Sequence, residues 1–138
     1  MRQSTTELAF STSGQGLVEI TREVVRWVDE QGMATGLLTV FCRHTSASLT
    51  FQENAAPEVP RDIAAWLDRV APESSGYAHD DEGPDDMPAH LKSILTGVSL
   101  SIPVVGGRPA LGTWQGIWLC EHRAAPHRRK VVLHLFGE

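Results

Sequence analysis

Apolar spacing along this chain reads as a series of strands with three helices set among them. Leu8 and Phe10 alternate with polar or small residues over residues 4–11, the period of a half-buried strand. Ser13-Gly14-Gln15-Gly16 is a turn. Leu17, Ile20, Val24, Trp27 and Val28 then recur at helical spacing, and Gly32 closes that helix. Residues 36–43 are apolar on both faces, which predicts a central strand. His44-Thr45-Ser46-Ala47-Ser48 follows, after which Leu49 and Phe51 alternate with Ser48, Thr50 and Gln52 in the next strand. Val59, Ile63, Trp66, Leu67 and Val70 mark a second amphipathic helix, with Pro60 tolerated in its first turn. An acidic loop runs from about Pro72 to Asp86. A third helix begins near Pro88, shows Leu91, Ile94 and Leu95 on its apolar face, and stops at Gly97. Strands over roughly 98–105, 115–123 and 129–136 finish the chain, with turns at Gly106-Gly107 and 124–127.

Strands dominate and no linker or repeat divides the 138 residues, so the pattern predicts one α+β domain, 1–138, with a mostly antiparallel sheet. The last strands carry apolar residues on both faces, as in Ile117-Trp118-Leu119 and Val131-Val132-Leu133, so helices or another subunit must cover the second face. A homo-oligomer is expected on that ground. A net charge of −5 argues against a general nucleic-acid binder. No apolar run reaches the ~18 residues of a membrane span. No basic start leads into a long apolar stretch, so a cytoplasmic protein without membrane attachment is expected. Cys42 and Cys120 each sit in an apolar run and read as buried, reduced thiols.

The candidate chemistry concentrates in His79-Asp80-Asp81-Glu82-Gly83-Pro84-Asp85-Asp86-Met87-Pro88-Ala89-His90, five carboxylates between two histidines with no basic residue. Such a segment is either a solvated loop or a cation site, since imidazole and carboxylate are the usual ligands of zinc and other divalent ions. Its spacing matches no standard zinc motif. His90 is placed in the first turn of the third helix, where backbone amides can receive an anion. His44 ends an apolar strand, either bonding its own loop or acting as a functional group held by a rigid element. Ser46 and Ser48 lack a nucleophile elbow around them. Glu53-Asn54 forms a polar turn, and Asp62 lies near a helix start, where it complements the dipole. Glycines flank Trp114 and Gln115 in Gly112-Thr113-Trp114-Gln115-Gly116, which permits close approach of a ligand or another backbone. Arg123, after Glu121, can pair with it or present its fork to a phosphate or carboxylate. Arg128-Arg129-Lys130 reads as a solvated basic turn.

Taken in order, His44-Thr45-Ser46-Ala47-Ser48-Leu49, Glu53-Asn54, Asp62, Tyr77, His79, Glu82-Gly83, residues 85–93 from Asp85 to Ser93, Gly97, Leu111-Gly112-Thr113-Trp114-Gln115-Gly116-Ile117 and Glu121-His122-Arg123 resemble the YjbQ-like family across nearly the whole chain. The resemblance implies a β-sandwich or barrel-like sheet and a homotrimer. It also implies a secondary thiamine-phosphate synthase activity, joining hydroxymethylpyrimidine diphosphate to thiazole phosphate with release of pyrophosphate. On that reading His44, His79 and His90, with Asp86, hold a divalent metal such as zinc or magnesium. Glu53, Glu82 and Arg123 are the expected catalytic groups, and Arg123 and Lys92 receive phosphate. Ser46, Ser48, Asn54, Asp62, Lys92, Thr113 and Gln115 line the site of a phosphorylated small molecule. A non-catalytic metal- or phosphometabolite-binding module and a metal-dependent hydrolase, with Glu53 or Glu82 as base, are the alternatives.

Overall fold

The apolar rows become two antiparallel sheets and three helices in the computed structural model, which describes residues 1–74 and 76–138. In chain order the elements are β1 (Arg2–Thr12), β2 (Gly16–Glu19), α1 (Thr21–Gln31), β3 (Thr35–Cys42), β4 (Ala47–Glu53), α2 (Glu58–Val70), α3 (Asp86–Thr96), β5 (Ser99–Val105), β6 (Arg108–Pro109), β7 (Gln115–Glu121) and β8 (His127–Gly137). The larger sheet has the order β1-β8-β3-β5-β6 and the smaller one β2-β7-β4. The fold is α+β, as the pattern predicts, and β3 is central, bonded to β8 on one side and β5 on the other. Two strands escape the periodicity. Residues 16–19 pair with β7 as β2, so α1 starts at Thr21 and not at Leu17. The two-residue β6 hangs on the end of β5. The third helix starts at Asp86, two residues before Pro88.

One apolar cluster joins both sheets and α1. It draws Leu38 and Val40 from β3, Leu133 and Leu135 from β8, Leu49 from β4 and Ile117 and Leu119 from β7. Ile20, Val24 and Val28 recur every four residues, so one stripe of α1 enters that core, each side chain fully buried. Burial of a valine, leucine or isoleucine side chain stabilises by about 1.5–3 kcal/mol. Gly32 ends α1 in the left-handed region at φ 66°, which a residue with a Cβ adopts only at a cost. Cys42 and Cys120 are both free and buried, and burial raises the Cys120 thiol to about 12. On the outer face of the larger sheet Leu37, Phe41 and Phe136 stay exposed. Among the described residues, no helix is long and apolar enough to cross a membrane.

Two polar networks are sealed inside. The first ties the sheets together. Arg129 on β8 donates through Nε to Glu121 Oε1 on β7 at 2.8 Å and through a terminal nitrogen to Glu121 Oε2. Thr12 on β1 donates to the same carboxylate, and the Arg123 amide donates to it at 3.1 Å. Burial alone would raise the Glu121 carboxyl, but Arg129 and these donors hold it below its ordinary value. Arg129 also donates to the Ser46 carbonyl and hydroxyl, both at 3.1 Å. Residues 128–130, expected as a solvated basic turn, instead lie within β8, and Arg129 is only 3% exposed. In the second network Ser48, on β4, meets Thr96 and lies 2.8 Å from His122 Nε2. Burial, with Lys92 nearby, lowers the His122 imidazole to about 4.

Each network yields an expected outcome. Arg129→Met leaves Glu121 buried without its counter-charge and should cost roughly 3–5 kcal/mol of unfolding free energy, read by urea denaturation. The double variant with Glu121→Gln should regain most of that, and a double variant no better than the single one refutes the ion-pair account. For His122 the unfolded chain takes up the proton near pH ~6.5 and the folded one only near 4. Its contribution is present above ~6.5 and is lost as pH falls toward 4, by at most about 3 kcal/mol. The melting temperature of the wild type should drop more steeply over that window than that of His122→Gln.

Candidate metal centre

The loop after α2 and the first turns of α3 concentrate the titratable groups. Asp86 and His90 stand four residues apart on α3 and so share one face. Gly83, at φ 97°, turns the chain so that His79 and Glu82 return over that face. His79 Nε2 lies 2.9 Å from Asp86 Oδ2 and 3.0 Å from Glu82 Oε2. His90 Nε2 lies 3.2 Å from the same Asp86 Oδ2. One ligand atom from each of His79, Asp86 and His90 falls within 4.8 Å of the others. A tetrahedral zinc with bonds of about 2.1 Å separates its ligand atoms by about 3.4 Å, so the three fit one ion with small adjustments.

The His90 tautomer is fixed by a main-chain group. Its Nδ1 is 3.1 Å from the Thr45 carbonyl oxygen, which can only accept, so Nδ1 carries the hydrogen. The Nε2 lone pair then faces the Asp86 carboxylate, and two acceptors at that distance repel unless a proton or cation stands between them. His79 meets the same demand with a hydrogen on Nε2, facing Asp86 and Glu82. Hydrogen bonding to Asp86, outweighing desolvation and helped by Glu82, raises its imidazole above the ordinary value. Arg123 steadies the cluster from outside. Its Nε donates to Asp85 Oδ2 at 3.0 Å, and its terminal nitrogens donate to Asp86 Oδ1 at 2.7 Å and the Glu82 carbonyl at 3.0 Å. Burial would raise the Asp85 carboxyl, but the Ala124 amide and Arg123 bring it below its ordinary value.

Of the groups expected in the site, His79, His90, Asp86 and Glu82 come together. His44 is not a fourth member. Its Nε2 accepts the Lys130 amide at 2.8 Å, and it meets His90 only as a fellow lining residue of a cavity of about 510 Å³. Arg123 is engaged by Asp85 and Asp86 and is not free to receive phosphate. Lys92 is buried against Asp68 at 2.5 Å and cannot receive it either. An anion beside the start of α3 is disfavoured, because the helix opens at Asp86 behind Asp85 and His90 lies one turn further in. Ser46 is bonded to Arg129, and Ser48 is fully buried, so neither is open to a ligand. Asp62 is exposed on α2. Glu53 and Gln115 are paired at the far end of β4, while Ala47 starts β4 beside the cluster. Six residues of strand separate those ends, about 20 Å, so Glu53, Asn54, Thr113 and Gln115 stand away from His79 and His90 within one protomer. Asn54 is bonded to Glu19, and Gln115 accepts the Gly112 amide. A further cavity of about 810 Å³ contains none of these groups and is lined by Arg22, Arg26, Arg108, Glu19, Glu23 and Asp29 among others.

Sequence reasoning missed the Thr45 carbonyl, a main-chain group without a side-chain signal, and it misread Arg129. The parity of β8 could have found the latter, since Arg129 shares the inward row of Val131, Leu133 and Leu135.

Comparison with known proteins converges on one group. The family model described as UPF0047 protein YjbQ-like matches residues 6–138. UPF0047 protein sll1880 of Synechocystis sp. is 49% identical over 138 residues, 99% of this chain and 94% of that protein. UPF0047 protein YjbQ of Escherichia coli O157:H7 is 43% identical, covering 95% of this chain and 96% of the relative. A YbjQ-like protein of unknown function from Sulfolobus solfataricus P2 superposes with a TM-score of 0.92 at 25% identity, covering 99% of both chains. An uncharacterized conserved protein of the YjbQ/UPF0047 family from Clostridium acetobutylicum superposes with a TM-score of 0.87 at 39% identity, over 95% of this chain and 99% of that one. The sequence match spans the residues that build the cluster, and the chain belongs to the UPF0047 YjbQ-like family.

Proposed function

We propose that this chain is a metal-dependent protein acting on a small phosphate- or carboxylate-bearing molecule, with a divalent ion such as zinc or magnesium held by His79, Asp86 and His90. The observation that carries the reading is Asp86 Oδ2 standing 2.9 and 3.2 Å from two imidazole nitrogens. One of those rings has its other N–H spent on a carbonyl, the usual outer arrangement of a metal-bound histidine. A divalent ion there supplies positive charge and Lewis acidity to a ligand oxygen. Arg123 holds Asp86 in one orientation, and Thr45 holds the His90 ring. Of the two glutamates expected as bases, Glu82 is the one beside the site, and it is exposed to an incoming ligand.

The arrangement favours metal-assisted hydrolysis. Thiamine-phosphate synthesis is the second reading, supported by the family resemblance. It needs cations for the departing pyrophosphate, and Arg123 and Lys92 are both engaged within the protomer, so those cations would come from a neighbouring subunit. The homotrimer of the family resemblance is supported by Leu37, Phe41 and Phe136, exposed by 48, 44 and 46% on the outer sheet face. Large apolar side chains left exposed on one sheet face are the kind of surface that subunit contacts cover.

Calorimetric titration of zinc and magnesium into the purified protein should give one ion per protomer. His90→Ala and Asp86→Ala should weaken binding by at least ~100-fold, and Arg123→Met by ~10–100-fold as an outer-shell change. Unaltered affinity in the first two variants sinks the reading. Because carboxylates hold the His79 proton above its ordinary value, metal affinity should begin to fall at a higher pH than for a free imidazole. Turnover of p-nitrophenyl phosphate by the loaded protein separates hydrolysis from synthesis, which is read with thiamine precursors; metal uptake without either leaves a binding module. Light scattering should return three times the 15.1 kDa protomer mass, falling to one in Leu37→Glu/Phe136→Glu.

A further inference from the structure

His44 is built into the end of β3 in a way that decides what its ring can offer. The ladder between β3 and β8 closes at Cys42 and Val131. Beyond it the Arg43 amide donates to the Lys130 carbonyl at 3.2 Å, and the Lys130 amide turns to the His44 ring, donating to Nε2 at 2.8 Å. The imidazole thus replaces the missing strand partner. A backbone amide can only donate, so Nε2 holds a lone pair and the neutral ring carries its hydrogen on Nδ1. A second ring hydrogen would set two donors against each other. Burial, with Arg129 nearby, also lowers the ring's proton affinity below its ordinary value.

Nδ1–H is then the one polar group of the ring left to bind anything. Among the described residues it has no hydrogen-bond partner, and no sealed polar side-chain atom lacks one, so Nδ1 is open. His44 lines the 510 Å³ cavity together with His90, Thr45, Ile94, Gly97 and Val98, a volume in the range of small-molecule sites. Ser93, also on its wall, has its hydroxyl spent on the Ala47 carbonyl. The cavity is therefore lined by apolar residues together with His44, whose Nδ1 is open, and His90, one of the three residues of the metal cluster.

We propose that His44 is not a metal ligand but a fixed, neutral hydrogen-bond donor that receives an oxygen of the ligand, a small phosphate or carboxylate with an apolar or aromatic body lying along Ile94 and Val98. The proposal rests on the metal reading above for the second point of attachment, the ion at His79, Asp86 and His90. A donor that cannot also accept selects an oxygen acceptor and rejects an amine at that position. The ring needs no rearrangement to do so, since its orientation and tautomer are set by the sheet before the ligand arrives.

Two glutamine-sized substitutions separate the roles. His44→Gln keeps an acceptor for the Lys130 amide and a donor for the ligand; His44→Glu keeps the acceptor and puts a carboxylate oxygen in place of the donor. With zinc-loaded protein and phenyl phosphate as probe, His44→Gln should bind within ~3-fold of wild type and His44→Glu at least ~10-fold more weakly, with zinc affinity unchanged in His44→Gln. Benzoate in place of phenyl phosphate tells a carboxylate preference from a phosphate one. Nitrogen-15 NMR of the ring in the metal-free wild type should report hydrogen on Nδ1 and a bare Nε2. That pattern should persist when zinc is added, and the Nδ1 signal should move on adding phenyl phosphate. Equal phenyl phosphate affinity in His44→Glu, hydrogen on Nε2, or a tenfold loss of zinc affinity in His44→Gln overturns the proposal. A wild type that takes up no zinc overturns the metal reading and the two-point arrangement with it. If zinc binds and the His44 signals do not respond to phenyl phosphate, only the donor role is lost.

Discussion

The buried pair of Glu121 and Arg129 is the constraint from which the rest of the arrangement follows. It joins β7 of the smaller sheet to β8 of the larger one, with Thr12 of β1 on the same carboxylate. Buried charges are tolerable only when paired and hydrogen-bonded on every side, and here both carboxylate oxygens and two guanidinium nitrogens are used. The guanidinium extends past the carboxylate to Ser46 and so fixes residues 43–46, the segment between β3 and β4. From that segment the His44 ring reaches Lys130, and the Thr45 carbonyl reaches His90. The site's geometry thus derives from the same interaction that sets the two sheets against each other.

The electrostatics of the acidic loop run the other way. Asp85 and Asp86 share Arg123, while Glu82, Asp81 and Asp86 all crowd His79. One guanidinium and one imidazole, its proton affinity raised by its neighbours, are set against five carboxylates between residues 80 and 86. Carboxylates this close raise one another's energy unless a positive charge enters. The fold keeps them together because Asp86 is anchored on α3 and Asp85 on the Ala124 amide. The negative potential that results is a property of the folded chain and not of the loop alone.

Much of this was legible in the sequence where period and punctuation agree. The stripe of Ile20, Val24 and Val28, the stop at Gly32 and the central apolar strand needed only spacing. The association of Asp86 with His90 did not follow from spacing, because the pattern begins the helix near Pro88 and leaves Asp86 in the loop, whereas α3 starts at Asp86. The short strands were not legible, because four residues at 16–19 and two at 108–109 are too few to carry a period, and Leu17 falls equally well on the helical stripe. Charged side chains were the harder loss. Lys92 finds Asp68 24 residues away and Arg123 finds Asp85 38 away, and no local pattern reveals which cation is already spent. The strand parity of Arg129 did hold the signal of its burial, overshadowed by the basic neighbours on either side.

The passage from residue 43 into the start of β4 also bears on how this protein can change over time. What the remainder of the molecule takes from Thr45 is its carbonyl, since the side chain is exposed, whereas Ser46 supplies a carbonyl to both Arg129 and the His122 amide. Ser48 by contrast supplies its hydroxyl inside a sealed network. Drift at position 45 should therefore be closed above all to anything that alters the path of the main chain, such as proline. Position 48 should admit almost nothing but a small hydroxyl. Selection on this stretch acts on a backbone shape at one residue and on a functional group three residues later.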